Sequence, residues 1–191
     1  MTKSLALGGV LGGLVLFFWG AFSYLVLPWH AMTLKQFKDE GAMAQALAAN
    51  AGESGMYLLP NPHRPDPSLS EAQRKAATEE SLARMVRGPF MFASVGLGGA
   101  REMGPALFLN VAGNIVSALL VTWLLLQVGG TDYWRRVGTT LLIALAAAVM
   151  VHYPSWIWWR FSTSYTLVES ADLLIGWTLA GLVIAKIIPV R

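Results

Sequence analysis

Residues 5–27 form an apolar run without one charged side chain. A helix of that length, rising about 1.5 Å per residue, crosses roughly 30 Å of hydrocarbon. Few folds in water tolerate such a segment. Three further stretches share its character. Residues 106–128 are entered through Pro105 and left through Gly129 and Gly130, and residues 137–153 stop at Pro154. Residues 167–188 carry Glu169 and Asp172 near their start and Lys186 near their end, where a lysine snorkels to the headgroups. The apolar part of a cleavable signal peptide is only about 7–15 residues long, so the first run reads as an uncleaved anchor. Residues 88–100 are too short to span and are followed by Arg101 and Glu102, which places them outside the bilayer.

Composition agrees. The chain of 191 residues is 55% hydrophobic and 13% charged, with a mean hydropathy of +0.52. Soluble domains carry about 25% charged residues. Disorder is excluded for most of the chain, because high hydrophobicity with low charge is the reverse of its pattern. Cysteine is absent, which removes thiol catalysis, disulfides and Cys-ligated zinc or iron–sulfur sites.

Orientation follows from lysine and arginine in the short flanks. With the N-terminus inside, Lys3, Arg135, Arg136, Lys186 and Arg191 face the cytoplasm against Asp132 alone, while residues 154–166 carry only Arg160. Tyr24, Trp29, Tyr153, Trp156, Trp158, Trp159 and Tyr165 then mark the outer boundary, and Trp123, Tyr133 and Trp134 the inner one.

The long outer loop, residues 28–104, reads as a small α+β insertion. Thr33 is suited to cap a helix bearing Leu34, Phe37, Met43 and Leu47 on one face. Residues 56–59 read as a strand, closed by Pro60, Asn61 and Pro62. Pro60, Pro62, Pro65 and Pro67 stiffen the following connection, and Ser70 with Gln73 makes a capping box for a helix to about Val86. Residues 90–95 are a second strand. The membrane surface or a partner would complete the core of this insertion.

Residues Leu27, Pro28, Trp29 and His30 after the first span, the stretch 54–60, and Gly176-Trp177 within 172–185 together resemble small bacterial inner-membrane proteins with four transmembrane helices and no functional family assigned. The resemblance implies a bacterial cytoplasmic membrane and carries no chemistry.

Four constellations bear on function. Gly8, Gly9, Gly12 and Gly13 give interleaved GxxxG patterns, which fit either a dimer seam or packing within one bundle; Gly176 and Gly181 favour helix packing on the last span. Asn110, Asn114 and Ser117 form a polar stripe that reads as interhelical hydrogen bonding or as the lining of a path. Glu169 and Asp172, at i and i+3, fit a cation or proton site, or a helix start whose dipole favours negative charge. His30 and His152 end two spans on the same side, so the topology gathers them with Glu169 and Asp172 at one depth, if neighbouring spans pack in sequence order. Such a set suits a metal or a haem, although no HxxxH or HExxH spacing supports one.

No GxSxG or SxxK pattern supports nucleophilic catalysis, and residues 96–99 precede a span and not a nucleotide-binding βα unit. The balanced outer loop and the small inner surface exclude nucleic acid. The expectation is therefore a mainly α integral membrane protein, a four-transmembrane-helix bundle. Residues 1–27 are the first span, 28–104 the extracytoplasmic insertion, and 105–191 three further spans with short loops. Its partners are the lipid bilayer and other membrane subunits or a second copy, and no cofactor is expected. The leading role is non-enzymatic, an accessory, assembly or scaffold subunit. A small oligomeric transporter or channel is the alternative, and a haem- or metal-binding redox subunit the third.

Overall fold

The structure, a computed structural model, describes residues 2–62, 68–128 and 132–189. Pro65, Pro67, Gly129, Gly130 and Arg191 lie outside the described residues. In chain order the elements are α1 (Thr2–Leu25), α2 (Trp29–Thr33), α3 (Glu40–Asn50), β1 (Gly55–Leu59), α4 (Glu71–Arg87), β2 (Met91–Val95), α5 (Met103–Gln127), α6 (Tyr133–Trp158) and α7 (Thr163–Ile187). Helices α1, α5, α6 and α7 are long and apolar enough to cross a membrane, with mean hydropathies of 2.0, 1.9, 1.6 and 1.7. The chain divides into two compact units, Met1–Lys35 with Arg101–Arg191, and Gln36–Ala100.

The long helices differ from the apolar runs at several ends, and three of the differences have a local reason. Pro105 sits inside the first turn of α5, where a missing N–H costs nothing, so the helix begins at Met103. Pro154 does not stop α6, which runs on to Trp158. Only one backbone bond, the one to the Met150 carbonyl, is lost, and it lies near the end of the helix. Helix α7 begins four residues earlier than expected, because the Ser162 hydroxyl accepts the Tyr165 N–H at 3.2 Å and caps it there.

In the helical unit α1 lies against both α5 and α7, and α7 against α6, whereas α5 and α6 barely touch despite their short connection. The ring of four is thus open on the α5–α6 side. Ala118, Val121 and Leu125 of α5 meet Ala180, Ile184 and Ile188 beside α1 in the buried core. At the far end of α7 the buried Arg136 side chain donates to the carbonyls of Ala185, Ile188 and Pro189, neutralising the partial negative charge of that helix terminus.

In the Gln36–Ala100 unit, β1 and β2 pair antiparallel, with Tyr57 opposite Ala93. Ser70 and Gln73 form the capping box of α4, and Gly88, at φ +72, ends that helix in a conformation that other residues resist. Thr33 is not the cap of α3. Its hydroxyl donates to the His30 carbonyl at 2.8 Å, and the Asp39 carboxylate takes the capping role by accepting the Ala42 N–H at 2.8 Å. Leu34 and Phe37 therefore precede α3. The interior of this unit is slight: Ala51, Ser81 and Val95 are buried, while Phe37, Met56, Leu82 and Val86 are 57%, 61%, 56% and 88% exposed. An apolar trough of about 600 Å³ runs between α3 and β2, past Met43, Leu47, Met91 and Leu97.

Candidate functional site

Pro28 breaks α1 and opens the single turn of α2, which folds His30 back against the end of α1. The imidazole is 6% exposed and lies on the Tyr24 ring, with centroids 3.7 Å apart and planes 12° from parallel. Its Nδ1 is 3.1 Å from Glu169 Oε1. Its Nε2 is 3.0 Å from Ser23 Oγ and 3.8 Å from Asp172 Oδ2. The Tyr24 hydroxyl donates to both Glu169 oxygens, at 3.2 and 3.3 Å, and the Trp29 indole donates to Ser23 Oγ at 2.9 Å.

Ser23 Oγ accepts from the Trp29 indole and is hydrogen-bonded to His30 Nε2, while His30 Nδ1 is hydrogen-bonded to Glu169 Oε1, so both ring nitrogens are engaged. The third polar group is less well matched. Asp172 Oδ1 is buried without a hydrogen-bond partner among the described residues. Its backbone carbonyl accepts the Trp19 indole N–H at 3.1 Å, which fixes that ring beside it.

The structure brings His30, Glu169 and Asp172 together and leaves His152 apart. His152 is half-buried on α6, and no hydrogen bond or ion pair joins it to the other three among the described residues. Helices α1 and α6 pack on α7 without packing on each other, so sequence-adjacent packing does not carry His152 to His30. Because α7 starts at Thr163, Glu169 and Asp172 lie in its second and third turns, beyond the first-turn dipole position. Among the described residues no three His, Asp or Glu side chains converge as a metal set. Glu169 and Asp172 face opposite nitrogens of His30, so one ion cannot take the imidazole and both carboxylates.

The glycines of α1 are used within the chain. A Cβ at Gly8 would stand 2.5 Å from Thr122, at Gly12 2.7 Å from Ile184, and at Gly13 2.6 Å from the Ile115 backbone, while Gly9 is closed by Leu119. This seam joins α1 to α5 and α7 and offers no face to a second copy. Gly176 makes room for the Trp19 ring, and Gly181 for Thr140 of α6.

Asn110, Asn114 and Ser117 border a cleft of about 320 Å³ shared with Leu16, Trp19, Gly20, Tyr24, Asp172, Leu173, Gly176 and Trp177. The Asn114 amide donates to Asn110 Oδ1 at 2.7 Å. One turn beyond Ser117 the cleft meets the close packing around Ala118, Thr122 and Ile184, all 0% exposed. It is a blind recess. The sequence reading missed Ser23 and the partnership of Tyr24 with Glu169. A serine inside an apolar span, seven residues before the histidine, was the available sign. No family model, no curated protein and no solved structure matches the chain.

Proposed function

We propose that this chain is a non-enzymatic accessory, assembly or scaffold subunit of a bacterial inner-membrane complex. In this reading both termini are cytoplasmic and residues 28–104 are periplasmic. Insertion is supported by the four long apolar helices, whose outward faces carry Phe18, Phe108, Leu142 and Met150 at 65%, 72%, 65% and 77% exposure. In water such faces are unfavourable, and in lipid they are at home. The alternating sense of the helices also fits successive crossings: the end of α1 meets the beginning of α7 at His30 and Glu169, and the beginning of α6 meets the end of α7 at Arg136.

The observation that carries the partner-facing role is the Gln36–Ala100 unit, which exposes Phe37, Met56, Leu82 and Val86 and buries almost nothing. A unit of that size with so slight an interior gains stability by covering its apolar surface against another subunit. Gentle solubilisation followed by native sizing tests this. The chain is expected in a species well above its own 20.7 kDa, dissociated by Phe37→Glu with Leu97→Glu. Recovery only as a monomer overturns the proposal.

The transporter reading draws on the cleft, which keeps the asparagine stripe from being packed dry. It is disfavoured by the seal at Ala118 and Ile184, and by the glycine seam, whose use within the chain removes the expected oligomer contact.

A further inference from the structure

We propose that the cleft between α1, α5 and α7 binds a protonated primary amine, with Asp172 as its counter-ion and the Asn110–Asn114–Ser117 stripe as its hydrogen-bond acceptors. Depth is the first argument. Counting about 1.5 Å per residue, Asp172 stands roughly 13 Å from the start of α7, and Asn110 and Ser117 roughly 10 and 21 Å from the start of α5. The acid is therefore level with the stripe, and both border the same recess.

The second argument is what Asp172 lacks. Its side chain is 15% exposed and its Oδ1 is buried with no partner, while Glu169 beside it is fully engaged by His30 and Tyr24. A carboxylate within an apolar helix bundle is costly unless a positive or donating group meets it. No Lys, Arg or His side chain borders the cleft itself; His30 Nε2 approaches Asp172 only at 3.8 Å and on Oδ2, so a donor bound in the cleft would be a second partner for this carboxylate.

The third argument selects the kind of cation. One carboxylate, two amides and a hydroxyl offer neutral oxygen acceptors with a single negative charge, which suits a monovalent N–H donor better than a divalent metal wanting several carboxylates. Trp19 and Trp177 in the walls add aromatic faces that attract an organic cation, and Trp19 is held in place by Asp172 and by the space at Gly176. At about 320 Å³ the recess takes a small head group and not a large ligand. The amine belongs either to an aminophospholipid head group or to a free small amine.

Full-length protein in nanodiscs distinguishes these. Native mass spectrometry would compare retention of phosphatidylethanolamine and phosphatidylcholine, and thermal unfolding would be followed with ethylamine and with tetramethylammonium. The expected result is a preference of at least fivefold for the primary amine in one arm: for the ethanolamine lipid if the source is the membrane, for ethylamine if it is aqueous. Asp172→Asn should abolish that preference and Asn114→Leu, which fills the recess with apolar volume, should weaken it at least threefold. Should Asp172→Asn fail to fold, Asn114→Leu decides alone. Equal response to the quaternary and primary forms in both arms, or a preference unchanged in the variants that fold, overturns the proposal.

Discussion

Alanine at Gly13 and alanine at Gly113 are chemically the same substitution in two helices, and the structure gives them opposite signs. At Gly13 the new Cβ lands 2.6 Å from Ile115 Cα and 2.7 Å from its nitrogen, both backbone atoms, whereas at Gly113 nothing lies within 4 Å. Backbone cannot rotate away, so α1 must retreat from α5 by about 1 Å to restore ordinary contact. If roughly 40 carbon contacts along the seam each lose a third of about 0.15 kcal/mol, the cost is on the order of 2 kcal/mol. Both variants gain about 1 kcal/mol of helix propensity over glycine. Gly13→Ala should therefore unfold about 1 kcal/mol more easily than the native chain and Gly113→Ala somewhat less easily, a gap of about 2 kcal/mol or up to thirtyfold in the equilibrium. Reversible unfolding in mixed micelles, read by tryptophan fluorescence, measures the gap. Coincident curves for the two variants would refute the intramolecular seam, and midpoints that depend on protein concentration would show that the glycines join two copies instead.

Other substitutions probe the remaining contacts. Arg136→Met removes the donor to three terminal carbonyls of α7 and should cost about 2–3 kcal/mol in the same titration; an unchanged midpoint would mean that water caps the helix equally well. His30→Phe preserves the stack on Tyr24 but strips Glu169 of its nitrogen partner, and a cycle with Tyr24→Phe should show a coupling of about 0.5–3 kcal/mol. Strict additivity would separate the two groups. Asp39→Ala and Ser70→Ala each remove a helix cap and should raise amide exchange in α3 or α4 by about 1 kcal/mol while the long helices keep their protection.

The long helices and the capping box of α4 were legible because apolar runs and S-x-x-Q spacing act locally. The ends of the helices were less so. Pro154 reads as a stop, but so near the end of α6 it removes a single backbone bond, and the helix continues to Trp158. The early start of α7 hangs on the Ser162 cap among polar residues that hydropathy leaves out. Gathering His30 with Glu169 and Asp172 required the α1–α7 contact, and the sequence offered that through two polar groups at matching depths. Packing in sequence order does put α1 and α6 beside α7, as found, but placing His152 required knowing that α1 and α6 do not pack on each other, and nothing in an apolar lipid-facing pattern encodes that. Which reading of the glycines holds was likewise invisible, since the same spacing serves a neighbour in the chain or in a second copy.

The size of the residues along α1 explains why seal and cleft occupy different levels of one bundle. From Gly8 to Gly13 the facing side chains are absent, and Leu119, Ile115 and Ile184 close onto the bare helix until Ala118 and Ile184 are wholly buried. One turn later Leu16 and then Trp19 present bulk on the same side, and Trp19 is further pinned against α7 by its bond to the Asp172 carbonyl. At that level Leu16 and Trp19 lie toward Gly176 of α7, and Asn110 and Asn114 border the cleft. Gly20, with nothing within 4 Å, adds to that space. The polar stripe thus begins where the glycine seam ends, and the taper from glycine to tryptophan sets the depth at which Asp172 meets a recess wide enough for a ligand. Shifting the taper by one turn would place the acid against the seam and away from the recess that it now borders.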